Sequence, residues 1–436
     1  MVRQIKIRTL AISISTLVLA SFAEAKVYVN SSCHMKANAP SRVVQGDKQK
    51  DKKFPLASIS KIVTSLWAVE KLGPNYRFST KLHITRNGNN NYDVHIEGGR
   101  DPIFGRNASY FIISELNKAS LDIKKIENLT FDEHFLLDWL AEENPRIGGD
   151  TPYYDTLEKQ TEAIRKSLTA DFSTAISYTR YNALKAQAAK IGVTMHARPT
   201  IDVRRIEFKA KADFSMPANS MTLTYQSAPL KNILKRMNNQ SNNYIADHLY
   251  WNLGGTEEFN KYMRSALSMD TSDFEFFLGS GNNANYIHDP TKNIYNLGTC
   301  EAMVKTIYRL DQVLGKNGLK LYDIMSVAGM DKDSTVGKYD GNFAGTTVAK
   351  TGSVNKAKTL AGTVSTKNGD IYFVMLVNTD RPSEWGVANN VIKDQVNKLI
   401  VNNGGGRRIT YTEIQTLPFD KDSTLKRTSG IDLKLE

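Results

Sequence analysis

Pro55-Leu56-Ala57-Ser58-Ile59-Ser60-Lys61-Ile62-Val63-Thr64-Ser65-Leu66-Trp67-Ala68-Val69-Glu70-Lys71-Leu72-Gly73-Pro74 holds a helix and a reactive pair in one stretch. Ile59, Ile62, Val63, Leu66 and Val69 recur three or four apart, with one step of one. That is the spacing of a helix with a wide buried face. Gly73 then offers a cap, and Pro74 cannot continue the helix. At the helix start, Ser58 and Lys61 stand at i and i+3 on one face, where hydroxyl and amine can meet. A serine hydroxyl is a poor nucleophile until a neighbour takes its proton. A lysine does this only when neutral, a state favoured by burial or a nearby cation. Taken alone, Ser-x-x-Lys is also an ordinary helix face. Ser353-Val-Asn-Lys356 and Ser423-Thr-Leu-Lys426 share the pattern. Ser353 follows a glycine beside an expected strand and Ser423 lies in a polar tail, so context selects Ser58.

Upstream, Arg3, Lys6 and Arg8 precede an apolar run over 10–22, and Ala23-Glu24-Ala25 follows. This is the layout of a secretory signal cleaved near Ala25. The run is shorter than the roughly 20 apolar residues a membrane span needs. No later stretch is long and apolar enough, so no transmembrane span is expected and the mature protein is expected in the periplasm or secreted. The signal carries three positive charges and one negative, so the formal net charge of +12 falls by two on cleavage. Such charge suits nucleic acid, a membrane surface or an acidic polymer. Export argues against nucleic acid and leaves carboxylate-bearing wall peptide as the natural counterpart; surface solvation by lysine explains the same balance. The two cysteines, Cys33 and Cys300, either pair in an oxidising compartment or stay as two buried thiols. No metal motif occurs, and the seven histidines are scattered singly, so no metal or organic cofactor is expected.

Downstream, 78–84 and 93–96 alternate around an Asn/Gly turn and read as a hairpin leading to Gly98-Gly99-Arg100-Asp101-Pro102. Helices are expected over 110–116, 135–143 and much of 157–192, with a loop over 145–156 and alternation returning over 194–225. Residues 75–215 are accordingly read as an inserted α+β domain. The first part of the main domain is 26–74, with short extended pieces at 27–29 and 42–44. Its second part, 216–403, holds helices over 230–237, from 244 to Gly254-Gly255, over 300–314 and over 389–402. A strand is expected over 346–350, then a hairpin of 359–365 and 371–378 closed by Lys367-Asn-Gly-Asp370. Gly404-Gly405-Gly406 releases a tail, 404–436.

Two further motifs bear on chemistry. Ser-x-Asn occurs at Ser241-Asn-Asn243, Ser280-Gly-Asn282 and Ser353-Val-Asn355. The first lies between two helices, where a hydroxyl and an amide project into a cleft or, alternatively, cap a helix. Lys350-Thr351-Gly352-Ser353 leads into the hairpin. A strand lysine is a fixed cation, the threonine hydroxyl can hold a carboxylate, and glycine admits a substrate backbone.

Ser-x-x-Lys, Ser-x-Asn and Lys-Thr-Gly in this order, on a helix, an inter-helix turn and a strand, resemble the serine penicillin-recognising enzymes. The wide gap between Ser58 and Ser241, Leu72-Gly-Pro-Asn-Tyr-Arg-Phe78, Gly98-Gly-Arg-Asp-Pro102 and Gly279-Ser-Gly281 resemble the low-molecular-mass class C penicillin-binding proteins, D-Ala-D-Ala carboxypeptidases and endopeptidases. The resemblance spans most of 50–400. It departs at Leu278, where the family usually has Asp, at Asn282-Asn283, and in an insert shorter than usual. It implies an α/β (α+β) penicillin-binding transpeptidase-like fold, with an antiparallel sheet flanked by helices and a smaller inserted α+β domain.

The roles it implies follow residue by residue. Ser58 is the nucleophile and Lys61 its base. Lys350 holds the site electropositive and so helps to keep Lys61 neutral. Ser241 relays a proton to the leaving amine and Asn243 binds a substrate amide. Thr351 holds a terminal carboxylate beside Gly352, and the backbone N–H groups of Ser58 and Ser353 form an oxyanion hole. Peptidoglycan peptides are the implied substrates and β-lactams the implied covalent inhibitors; no protein partner is implied. Two alternatives share these residues: a serine β-lactamase, whose deacylating base is not legible here, and a non-catalytic wall-binding module, which has no need of Ser58, Lys61, Ser241 and Lys350 together.

Overall fold

The computed structural model describes residues 30–38, 43–88, 91–137, 157–172, 177–284 and 291–430. The expected signal, the extended piece at 27–29 and the loop at 145–156 lie outside them. The chain opens with strand β1 (Ser31–Lys36), the short strands β2 (Gln45–Gly46) and β3 (Lys53–Pro55), and helix α1 (Ser60–Leu72). α1 buries all of Ser60 to Val69 and ends at Gly73, whose φ of +82° is one that glycine adopts without strain.

The insert follows as β4 (Ser79–Arg86), β5 (Tyr92–Glu97), α2 (Arg106–Leu116), β6 (Lys125–Phe131), α3 (Leu157–Asp171), α4 (Tyr178–Lys190), β7 (Asp202–Phe208) and β8 (Ser220–Gln226). β4 pairs antiparallel with both β5 and β8, while β5–β6 and β6–β7 are parallel. Parallel neighbours need a crossover, and helices stand between them in sequence. The sheet thus reaches Gln226, past the boundary at 215 expected from sequence. The reason is pairing: β8 hydrogen-bonds along β4, the insert's first strand, and encloses its Leu223 and Tyr225 in the insert core. Residues 135–137, expected to open a helix, are not helical; Phe135 instead drops into the insert core beside Phe104. The rest of that expected helix lies outside the described residues.

The chain then returns through α5 (Leu230–Gln240), α6 (Asn243–Asn252), α7 (Gly255–Tyr262), β9 (Phe274–Glu275), β10 (Leu297–Thr299), α8 (Cys300–Lys316), β11 (Ser326–Val327), β12 (Thr347–Val354), β13 (Ala357–Thr366), β14 (Gly369–Asn378) and α9 (Trp385–Asn402). The central sheet is ordered β11-β12-β13-β14-β1-β2, all antiparallel. β14 shows why it is covered on both sides. Ile371, Phe373, Met375 and Val377 belong to the core that α9 covers, while Tyr372, Val374 and Leu376 belong to the core shared with α1, α5, α6 and α8. An unbroken apolar run marks a strand buried on both faces, and each such side chain contributes about 1.5–3 kcal/mol on burial.

Cys33 on β1 and Cys300, the first residue of α8, form a disulfide with Cα atoms 5.8 Å apart. It fastens the sheet to a helix across 267 residues of chain. The unreduced, denatured protein is expected to show no thiol to a thiol reagent. Cys33→Ser is expected to lower unfolding free energy by about 2–5 kcal/mol. Two titratable thiols in the oxidised protein would contradict the bridge.

The tail does not hang free after Gly406. Leu417 and Phe419 enter the insert core, Phe419 stacking on Phe111 at 4.5 Å. Arg77 clasps Asp420 with two hydrogen bonds of 2.9 and 2.7 Å. A last strand, β15 (Leu425–Gly430), pairs with β8. It covers an edge that would otherwise present unpaired backbone groups. Nearby, Lys235 of α5 is fully buried with Asp331 at 2.7 Å, and Tyr411 of the tail donates to the same carboxylate.

Candidate active site

The site forms where α1, the α5–α6 turn and β12 meet. Ser58 sits in a 3-10 turn, Ala57–Ile59, just before α1. Ala57 adopts φ +50°, a left-handed conformation that a residue with a Cβ adopts at a cost and that clusters at functional sites. Close neighbours hold the turn. A Cβ on Gly281 would lie 2.1 Å from the Ala57 carbonyl oxygen, and one on Gly352 would lie 2.9 Å from the Ser58 nitrogen. Both positions must be glycine for the segments to approach this closely. Thr359 Oγ1 also donates to the Leu56 carbonyl at 2.9 Å, tying β13 to the same turn.

The α5–α6 turn settles which residue caps and which faces the cleft. Ser241 is the left-handed C-cap of α5, with φ +56°. Asn242 caps α6, its Oδ1 accepting from the Ile245 N–H at 2.9 Å. Asn243, the first helical residue, is thereby released toward α1. Its Oδ1 accepts from Lys61 Nζ at 2.7 Å.

Lys61 is 0 % exposed. Its Nζ lies 3.0 Å from Ser58 Oγ and 3.1 Å from the Ser280 carbonyl oxygen. Burial lowers its pKa to about 7, against an opposing pull from Asp247. A neutral amine has two N–H groups and one lone pair. Asn243 Oδ1 and Ser280 O can take the two hydrogens, leaving the lone pair for the Ser58 hydroxyl proton. Burial, one of the two causes weighed from sequence, is the leading cause of the shift.

Lys350 on β12 is also 0 % exposed, and its Nζ donates to Ser241 Oγ and to the Thr351 carbonyl, both at 2.8 Å. Burial lowers its pKa well below the ordinary value, and the charges of Lys61 and Lys358 add to this. Ser58, Ser241, Asn243, Thr351 and Ser353 share the lining of one cleft of about 660 Å³. Tyr339, Trp385 and Asn389 also line it.

Three contributors were missed in sequence. Asp247 lies one helical turn after Asn243, a spacing that could have drawn notice. It accepts from the Ser280 N–H at 2.7 Å and from Ser280 Oγ at 3.0 Å, holding the 279–281 segment over Lys61. Leu278, at the position where Asp was expected, is fully buried, so the carboxylate holding Ser280 comes from α6. Lys358 was invisible because only strand register reveals it. It stands opposite Ser353 on β13, donates to Ser353 Oγ at 2.7 Å and lies 6.0 Å from the Trp385 ring centre. Trp385 was missed because the last helix was started at 389.

The competing motifs fall away. Lys356 is exposed in the β12–β13 turn. Ser423 binds Asp420 in the tail. Ser280 is engaged by Asp247 rather than exposed to the cleft.

The D-Ala-D-Ala carboxypeptidase 3 (S13) family profile matches residues 31–138 and 206–399. Among solved structures, the Bd3459 predatory endopeptidase from Bdellovibrio bacteriovorus, in complex with immunity protein Bd3460, is 59% identical. The match covers 92% of this chain and all of that one, with a TM-score of 0.88. The penicillin G acylated form of the same endopeptidase is 56% identical over 92% of this chain and all of that one, with a TM-score of 0.84. Penicillin binding protein 4 (dacB) from Haemophilus influenzae shares the fold at 17% identity and a TM-score of 0.55, covering 85% of this chain and 96% of its own. No curated protein matches the chain.

Proposed function

The chain belongs to the D-Ala-D-Ala carboxypeptidase 3 (S13) family of serine peptidases, and from that premise we propose that it is an exported D,D-carboxypeptidase and D,D-endopeptidase of peptidoglycan, working through an acyl-enzyme on Ser58. The observation that carries this reading is the Ser58–Lys61 pair, with its 3.0 Å separation and an amine held near neutrality. Export is supported by the N-terminal signal pattern, and no helix among the described residues is long and apolar enough to cross a membrane.

In the proposed reaction Ser58 Oγ attacks the carbonyl carbon of the D-Ala peptide bond while its proton passes to Lys61 Nζ. The backbone N–H groups of Ser58 and Ser353 hold the developing oxyanion, each worth about 3–4 kcal/mol of barrier. Ser241, bonded to Lys350, relays a proton to the leaving amine, and the C–N bond breaks. Asn243 orients a substrate amide and Thr351 grips a terminal carboxylate beside Gly352. Water then attacks the ester, the acid leaves and Ser58 regains its proton. A β-lactam offers a similar amide but its leaving group stays tethered, so Ser58 remains acylated. Endopeptidase action is supported by the 59% identical relative described as an endopeptidase and by the open cleft.

Intact-mass spectrometry after penicillin treatment is expected to show one penicilloyl group on Ser58, absent in Ser58→Ala. Wild type, but not Ser58→Ala, is expected to release terminal D-Ala and to consume dimeric muropeptides from purified sacculi. An adduct mapping to Ser353 or Ser423 would overturn the nucleophile. Rapid penicillin turnover would favour a β-lactamase, and no adduct at all a binding module. Loss of D-Ala without loss of dimers would leave a carboxypeptidase only.

A further inference from the structure

A second cavity, of about 480 Å³, adjoins the cleft, and Gln240 lines both. It opens where three parts of the chain meet. The insert contributes Asn107 and Lys190, α5 contributes Arg236 and Gln240, and the tail contributes Glu413. The segment 333–335 borders both spaces, Asp333 facing the second cavity and Thr335 the cleft. At the boundary, Gln240 Oε1 and Thr335 Oγ1 are buried without a hydrogen-bond partner. An unpaired buried polar atom costs about 1–3 kcal/mol.

We propose that this cavity is a subsite for the leaving strand of a cross-linked substrate, a second peptide carrying both carboxylate and ammonium groups. The proposal rests on the peptidoglycan reading above. Its direction follows from Ser241: if that hydroxyl passes the proton to the leaving amine, the departing strand lies beside Ser241 and its neighbour Gln240. Beyond Gln240 the walls carry both signs of charge. Lys190 and Arg236 suit carboxylates, Asp333 and Glu413 suit an ammonium. Lys190 and Asp333 are exposed and join no salt bridge among the described residues. A chain ending in a single D-Ala leaving group does not reach this space; a cross-linked one does. The subsite therefore favours endopeptidase over carboxypeptidase substrates without touching the reacting atoms.

The test compares a purified cross-linked muropeptide dimer with a short acyl-D-Ala-D-Ala peptide, using the full mature chain. Lys190→Glu and Asp333→Lys alter exposed side chains, and thermal unfolding serves as the control for folding. Each is expected to raise KM for the dimer by about three- to five-fold, the size of an exposed charge contact, with kcat nearly constant. The short peptide's kcat/KM and the penicillin acylation rate are expected to stay at wild-type values. Unchanged dimer kinetics in both variants, or an equal loss on both substrates, would overturn the subsite. If wild type acylates with penicillin yet cleaves neither peptide, the peptidoglycan reading itself fails, and the subsite with it.

Discussion

Replacing Lys61 with arginine is expected to reduce acylation of Ser58 by penicillin to about one-thousandth of wild type or less. A positioned general base is typically worth about 10²–10⁴-fold, and about 10³ corresponds to roughly 4 kcal/mol of barrier. Guanidinium does not give up its proton at accessible pH, so the variant lacks the lone pair that the neutral amine offers to the Ser58 proton. In wild type the sign of the pH dependence follows from the lowered pKa. Below about 7 the Lys61 ammonium has no lone pair for the Ser58 proton; above it the neutral amine accumulates. The acylation rate is expected to rise through pH 7 and then level off, where an ordinary lysine would carry the rise toward about 10.4. Stopped-flow acylation across a window of roughly four pH units centred near neutrality supplies both tests. Acylation by Lys61→Arg at the wild-type rate, or a wild-type profile flat through neutral pH, would remove lysine from the role of base.

Asp331→Ala is expected to destabilise the main domain by about 3–5 kcal/mol, the usual cost of leaving one member of a buried ion pair behind. Native proteins are stable by only about 5–15 kcal/mol, so this is a large share. Lys235 would keep the Tyr322 and Met325 carbonyls, at 2.9 and 2.6 Å, but lose its counter-charge. The Val327 N–H, 2.6 Å from Asp331 Oδ2, would lose its acceptor too. Two comparisons separate charge from the loss of other contacts. Tyr411→Phe removes one hydrogen bond to Asp331 and should cost about 1 kcal/mol. Lys235→Met combined with Asp331→Leu removes both charges and should recover much of the loss. Urea unfolding with an unchanged slope is the measurement. A loss below about 1 kcal/mol in Asp331→Ala would show that the pair is not a structural anchor. Because α5 carries Lys235 and ends at Ser241, the same variant tests how firmly the proposed proton relay is held.

Much of the candidate site was legible because it is local. Ser58 and Lys61 share a helix start, and their spacing alone puts hydroxyl and amine on one face. Lys350, Thr351, Gly352 and Ser353 are consecutive, and the apolar run of β14 announces a strand covered on both sides. The hairpin of β13 and β14 was legible from Lys367-Asn-Gly-Asp370, and the register closes with Thr366 opposite Gly369. These features depend on backbone periodicity, which neighbouring residues set by themselves.

Other features depended on long-range pairing, which local sequence does not encode. Lys358 meets Ser353 only because β12 and β13 pair in one register. Asp247 meets Ser280 only because the 279–281 segment crosses α6. The polar tail read as free because its β15 residues are mostly exposed; what holds it is the open edge of β8, the Arg77–Asp420 clasp and a socket for Phe419 beside Phe111. The pairing of Cys33 with Cys300 was open in sequence and was decided by the approach of β1 to the start of α8. The sequence by itself thus singled out the candidate reacting groups and the helix and strands that carry them. The tertiary structure decided their protonation, since the lowered pKa of Lys61 comes first from burial, and burial is a property of everything packed around a residue rather than of its neighbours in the chain.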